Sequence, residues 1–176
     1  SLLGILNDIL DYSKIEAGKV VLEAVRFDLE GVIQNALFMV QGKAEHRGLE
    51  LLLDYRPAPA LRHLVGDPLR LGQVLINLLS NACKYNRPHG HATIDTRLEG
   101  EEVVIDISDD GIGMRTEDAA QLFQPFKRVA SAMGHAEGTG LGLYIVKQLV
   151  ERMQGSVSVV SELGVGTRFT VRLPQA

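Results

Sequence analysis

The chain opens with Leu2, Leu3, Ile5, Leu6, Ile9 and Leu10 at helical spacing, an apolar face that fades around Ile15 to Gly18. That face is too broad for a lone surface helix and calls for a partner helix, in this chain or another. Gly18 and Lys19 form its stop signal. Asp28 then reads as the N-cap of a second helix, with Leu29, Val32, Ile33, Ala36, Leu37 and Val40 along one side. Residues 49–55 read as a strand and the proline-containing stretch 56–63 as a loop. Asp67-Pro68 is a strong helix start, an acid at the N-cap followed by proline at the first helical position. The helix it opens carries its core stripe on Leu71, Val74, Leu75, Leu78, Leu79 and Ala82 and stops near "NRPHG".

Beyond it, 92–98 alternate apolar and polar, and together with 103–109 across Gly100 they predict a hairpin. A short helix is expected over 116–123 and a longer one over 141–153. Residues 157–160 and 168–173, joined through Gly164 and Gly166, predict a closing hairpin. Strands and helices interleave without a regular βαβ rhythm. The pattern therefore predicts a mixed sheet covered by helices on one face.

Composition narrows the classes. The 176 residues, 45% hydrophobic, suit one compact domain with a short appendage. A net charge of −4 supplies no basic field for nucleic acid or anionic membrane. No run of apolar residues is long enough to span a bilayer, and the N-terminus lacks the basic start of a signal peptide. The single cysteine, Cys83, has no partner for an internal disulfide, and a reducing, cytoplasmic setting is expected. The start inside a helical pattern is read as part of a longer protein.

Three stretches carry candidate chemistry. On the helix opened at Asp67, Arg70, Gln73, Asn77, Asn81 and Lys84 cluster away from the core stripe. The bland reading is a solvated face. However, asparagine is a poor helix former, and two amides one turn apart suit a hydrated hard cation, with Lys84 able to meet phosphate. In "DISDDGIGM", residues 106–114, period two places Asp109 on the same face as Val103, Ile105 and Ile107. A carboxylate ending an apolar face must find donors, and a nucleobase amino group is one; Gly111 and Gly113 leave room for something flat. A glycine-rich turn is the alternative. In "EGTGLGLYIVK", residues 137–147, Gly138, Gly140 and Gly142 run into a helix N-terminus, where free N–H groups can hold phosphate. Neither a P-loop nor a dinucleotide fingerprint is present, and a flexible helix entry remains the alternative.

Taken together, Asn77 to Lys84, Asp109 to Gly113, Phe123-Gln-Pro-Phe126 and Gly138 to Gly142 resemble, in order and spacing, the N, G1, F and G2 boxes of sensor histidine kinase catalytic domains. The resemblance covers roughly residues 27–174. Residues 1–18, with "DYSKIEAG", resemble the end of the second dimerisation helix of such kinases, with 19–26 as a linker and 27–176 as the catalytic domain. The resemblance implies an α/β (α+β) sandwich of Bergerat type that binds ATP and Mg²⁺. It implies Asn81 as the metal ligand, supported by Asn77 and Lys84, and Tyr85 near the sugar or base. Asp109 would accept from the adenine amino group, with Gly111 and Gly113 giving the base room. Lys127 and Arg128 would meet the terminal phosphate, Arg128 foremost, and Gly138, Thr139, Gly140, Leu141, Gly142 and Leu143 would cradle the phosphates. Residues 129–137 would form a lid.

The implied reaction moves the γ-phosphoryl group of ATP to a histidine. None of the five histidines (His46, His63, His89, His91 and His135) has the family's phosphoacceptor context. The resemblance therefore implies a separate dimerisation helix as acceptor, a receiver domain downstream and a homodimeric parent, with neither nucleic acid nor membrane contacted by this stretch. Two other readings stand beside it. One is another ATPase of the same superfamily, which would lack the "FQPF" box. The other is a degenerate nucleotide-binding module acting through conformation or partner binding.

Overall fold

The computed structural model describes residues 2–46, 52–56, 63–126 and 139–175. The elements run α1 (Leu2–Glu16), β1 (Val25–Asp28), α2 (Leu29–His46), β2 (Leu52–Arg56), β3 (His63–Gly66), α3 (Pro68–Lys84), β4 (His91–Glu99), β5 (Glu102–Asp109), α4 (Thr116–Ala120), α5 (Gly142–Arg152), β6 (Ser156–Glu162) and β7 (Gly166–Pro174). Five strands form one sheet in the order β2-β4-β5-β7-β6. The β2–β4 pair is parallel and the other three pairs are antiparallel. The expected mixed sheet, covered on one face by helices, is what forms.

Period two decides which face is covered. Ala92 and Ile94 of β4, Val103, Ile105 and Ile107 of β5, and Phe169, Val171 and Leu173 of β7 are all buried. They meet the stripe of α3, where Leu71, Val74, Leu75, Leu78, Leu79 and Ala82 are buried, and that of α5, where Leu143, Ile145, Val146, Leu149 and Val150 are buried. Each large side chain so placed contributes about 1.5–3 kcal/mol of transfer free energy. The opposite face of the sheet is largely polar, although Val104 on it is buried. There Arg97 pairs with Asp106, which also accepts from the Thr170 hydroxyl at 2.6 Å, while Arg172 pairs with Glu99 at 2.8 Å.

The start of α3 is built as its sequence requires. Asp67 is buried, and its carboxylate accepts from the Arg70 amide at 3.0 Å and the Glu23 amide at 3.1 Å. The second bond ties the segment after α1 to the head of α3.

The structure departs from the sequence reading at two places and meets it at a third. The expected linker 19–26 ends in a strand, because β1 pairs antiparallel with β3 from Val25↔Gly66 to Asp28↔His63. Two four-residue strands are too short to display a period, and β3 begins inside the predicted loop. The helix expected over 116–123 stops at Ala120, where turns take over. The strand expected over 49–55 is β2, with residues 49–51 outside the described set.

The partner helix expected for the apolar face of α1, in this chain or another, is not among the described residues. The apolar residues of α1, Leu2, Leu3, Ile5, Leu6, Ile9 and Leu10, are all exposed, and Ile15 alone of its described residues is buried. The helix docks instead by its other stripe, Asp8, Asp11, Tyr12, Ile15 and Glu16. Tyr12 meets the rings of Phe126 at 5.2 Å and Tyr144 at 5.5 Å. The Tyr144 hydroxyl donates to Glu16, and Arg152 donates to the Ile15 carbonyl at 3.4 Å. Among the described residues no helix is long and apolar enough to cross a membrane.

Candidate functional site

The residues singled out from sequence converge where the C-terminal half of α3 faces the end of β5. Asn81 and Tyr85 on one side and Asp109 and Gly113 on the other line one pocket. Its remaining walls are mostly apolar: Ile112, Met114, Leu122, Thr167 and Phe169. A flat apolar cleft with a few convergent polar groups is the usual form of a small-molecule site.

Asp109 is the electrostatic centre of the pocket. Burial pushes its carboxyl up to about 6, against the pull of hydrogen bonds from the Gly111 and Thr167 backbone amides and with a further push from Asp110. The Gly111 amide donates to its Oδ1 at 2.9 Å. Pairing of Asp109 with Thr167 across β5 and β7 fixes the depth at which the carboxylate sits. A half-buried acid perturbed mainly by desolvation at the rim of a cleft is a functional-site signature.

The glycines beside it serve the chain's own packing. A Cβ on Gly111 would stand 2.3 Å from the Tyr85 carbonyl oxygen, and one on Gly113, at φ +67°, would stand 1.9 Å from the Glu162 carbonyl oxygen. The loop after β5 is thus pressed between the exit of α3 and the β6–β7 turn. The Ile112 amide donates to the Tyr85 carbonyl at 3.0 Å, and the Gly164 amide to the Ile112 carbonyl at 2.7 Å.

The face predicted from Arg70 to Lys84 divides in two. Asn81 lines the pocket, but Arg70 and Gln73 are engaged with α1: Asp11 pairs with Arg70 at 3.2 Å and accepts from Gln73 at 2.7 Å. Between them Asn77 reaches α5, its Nδ2 donating to the Gly142 carbonyl at 3.4 Å. Lys84 lies close enough to Asp8 of α1 to be felt electrostatically. Asp8 also accepts from the Thr139 hydroxyl at 3.2 Å. Burial raises the Asp8 carboxyl, Thr139 lowers it, Asp11 raises it and Lys84 lowers it, with a net rise.

At the head of α5 the Leu141 amide donates to the Thr139 hydroxyl at 3.1 Å, and the Gly140 carbonyl accepts from the Phe126 amide at 3.0 Å. The side chains of Leu141 and Leu143 are core residues, so only their backbone is placed to face a ligand. Gly142 has open space where a side chain would stand. Phe123 packs edge-on against the pocket residue Phe169 at 6.2 Å, and the Lys147 ammonium lies 5.8 Å from its ring centre. Lys127, Arg128 and Gly138, together with the expected lid and His135, lie outside the described residues.

The sequence reading overlooked Ile112, Met114, Leu122, Thr167 and Phe169 as pocket walls, and Asp8 and Asp11 as neighbours of the α3 face. Phe169 was legible only as part of the closing hairpin's second strand, 168–173, and Thr167 lay just outside it. Their membership depends on β5–β7 pairing, which no local pattern encodes. Among the described residues no three His, Cys, Asp or Glu gather as a metal cage. The donor set near Asn81 fits a magnesium ion that takes most of its ligands from phosphate and water.

Comparison with known proteins follows the same lines. The profile of the histidine kinase-, DNA gyrase B- and HSP90-like ATPases matches residues 66–176. The chain is 44% identical over 180 residues to the sensor histidine kinase GacS of Pseudomonas protegens, covering 98% of this chain and 19% of that protein. It is 41% identical over 175 residues to the circadian input-output histidine kinase CikA of Synechococcus elongatus, covering 99% of this chain and 23% of that protein. The chain therefore spans about a fifth of the length of the curated relatives it matches. Among solved structures, full-length ShkA in complex with AMPPNP superposes with a TM-score of 0.82 at 30% identity, over 99% of this chain and 36% of that one.

Proposed function

Because the chain belongs to the histidine kinase-, DNA gyrase B- and HSP90-like ATPase family, we propose that it is the catalytic, ATP-binding part of a cytoplasmic sensor histidine kinase. The observation that carries the reading is the single cleft shared by Asn81 of α3 and Asp109 at the end of β5, beside an α5 N-terminus tied to Asn77. The adenine enters among Ile112, Met114 and Phe169, and its exocyclic amine donates to the Asp109 carboxylate. Tyr85 lies beside the sugar or base. The phosphates run from Asn81 toward Lys84 and the backbone of Gly138 to Leu143, and Lys127 and Arg128 meet the terminal phosphate.

Bound Mg²⁺, held by Asn81 with support from Asn77, supplies neutralising charge along the phosphates. The chain's own part is positioning. Asp109 fixes the base and the polar face of α3 fixes the triphosphate, so that the γ-phosphorus is presented outward to an acceptor imidazole. The new bond is nitrogen to phosphorus, and the bond broken joins the γ-phosphorus to the β–γ bridging oxygen, with ADP as leaving group. The acceptor histidine belongs to a dimerisation helix, of which residues 1–18 are the neighbouring end, and 19–26 link it to the catalytic unit 27–176, the last two of them already paired into β1. A receiver-domain aspartate takes the group onward, and the parent is a homodimer.

The test is calorimetric titration with a non-hydrolysable ATP analogue, with and without Mg²⁺, followed by transfer from labelled ATP to a supplied dimerisation segment. Mg²⁺-dependent binding and labelled histidine are expected. Binding without any transfer would instead favour the degenerate-module reading.

A further inference from the structure

The exit of α3 carries a side chain that the proposed chemistry does not use. One guanidinium nitrogen of Arg87, Nη2, donates to two carbonyl oxygens at once: that of Gly111 at 3.0 Å and that of Gly164. The first belongs to the loop after β5 that carries Asp109's partner amide. The second belongs to the β6–β7 turn.

These bonds close a ring. The peptide joining Gly111 to Ile112 is held from both ends, its carbonyl by Arg87 and its N–H by the Tyr85 carbonyl at 3.0 Å. The Ile112 carbonyl accepts from the Gly164 amide at 2.7 Å, and the Gly164 carbonyl returns to Arg87. Three segments distant in sequence thus meet through one cation. The two N–H bonds of that one nitrogen serve the two carbonyls, and the planar guanidinium fixes their directions, whereas an ammonium turns freely on a flexible stem. The turn that presents Arg87 is itself braced. The Asn86 side chain accepts from the Arg87 amide at 2.8 Å and donates to the His91 carbonyl at 3.2 Å.

The consequence reaches the pocket through one residue. The Gly111 N–H donates to Asp109 Oδ1, so the orientation of Gly111 governs where that carboxylate points. Ile112 and Gly113, next along the braced loop, line the pocket themselves. We infer that Arg87 is a positioning residue for base recognition, locking the loop after β5 against the β6–β7 turn so that Asp109 meets the purine amino group squarely. This rests on the nucleotide reading of the pocket.

The test uses the full chain and its R87Q and R87K variants, titrated with a non-hydrolysable ATP analogue and its guanine counterpart. Amide exchange at Ile112 and Gly164 is followed in parallel. R87Q is expected to bind the adenine analogue about tenfold more weakly, roughly 1.4 kcal/mol, with little change for guanine and faster exchange at both amides. R87K, whose ammonium has donors for both carbonyls but sits on a shorter, more flexible stem, is expected to fall between R87Q and wild type. Unchanged base preference in both variants, or equal loss for both bases, overturns the inference while leaving the nucleotide site standing. Failure of the wild type itself to bind the adenine analogue overturns the nucleotide reading and this inference with it.

Discussion

The Asp8 carboxylate of α1 accepts a hydrogen bond from the Thr139 hydroxyl at 3.2 Å and feels the charge of Lys84, so an anion of the chain already occupies the neighbourhood assigned to ATP's phosphates. A triphosphate entering there meets a like charge whose field is only partly screened at this half-buried position. Asp8→Asn keeps the shape and removes the charge. It is expected to raise affinity for the Mg²⁺-bound ATP analogue about three- to tenfold, roughly 0.7–1.4 kcal/mol. Calorimetric titration of the two proteins side by side checks this. Equal affinities would mean that α1 and the phosphates do not compete.

Asp109 is expected to trade stability for recognition. Its folded carboxyl is raised to about 6 by burial, above the ordinary 3.8, so the neutral form is the one folding favours. That contribution is fully present below about pH 4 and is lost as pH rises through about 6. At pH 7.5 the charged group therefore weakens the fold, and Asp109→Asn should add about 1–3 kcal/mol there and nearly nothing at pH 4. Urea unfolding at the two pH values measures it. The same substitution turns an acceptor-only group into an amide, and adenine-analogue binding should fall by tenfold or more while guanine binding falls less. Wild-type adenine affinity should itself rise between pH 5 and 7.5, a rise the variant lacks. A variant no more stable at pH 7.5 than wild type would refute the burial argument.

How much of this was legible in the sequence follows the range of the interactions. The N-cap at Asp67, the α3 stripe and the alternation of β4 are local patterns, and each appears where the spacing put it. Asn81 and Asp109 were found because each breaks a local expectation, a poor helix former on a helix and a carboxylate ending an apolar strand face. What escaped was long-range. Thr167 joins the pocket only through its pairing with Asp109. Arg87 was read only within the "NRPHG" exit of its helix, because its acceptors are main-chain carbonyls, which no side-chain pattern advertises. The apolar face of α1 was rightly seen as broad, yet the helix docks by its polar stripe, where Asp11 meets Arg70 and Gln73. Hydrophobic periodicity gives no warning of a helix that buries its other side.

Asn81→Ala is expected to separate metal binding from folding. It lines the pocket, half-buried and off the α3 core stripe, so truncation removes no core contact. Asn81→Ala should leave unfolding within about 0.5–1 kcal/mol of wild type. The gain in ATP-analogue affinity on adding Mg²⁺ should drop to near nothing, read by titrations with the ion and with a chelator. A variant that keeps its full magnesium response would remove Asn81 from the metal's environment.

Two glycines on either side of one contact distinguish crowding from backbone conformation. Gly113, at φ +67°, and Gly164, at φ +83°, both occupy the left-handed region that side chains disfavour. Around Gly164 a Cβ would meet open space, whereas at Gly113 it would lie 1.9 Å from the Glu162 carbonyl oxygen, backbone that has no rotamer to escape through. Gly164→Ala therefore carries the conformational term alone, about 1 kcal/mol. Gly113→Ala adds displacement of the β6–β7 turn and should cost about 2–4 kcal/mol. Because that turn holds the loop after β5 through the Gly164–Ile112 bond, Gly113→Ala should also weaken the adenine analogue, while Gly164→Ala, which keeps its amide, should not. Urea unfolding and titration of the two variants read both effects. Equal destabilisation would show that the turn yields to the new methyl group, and that the loop is not pinned by it.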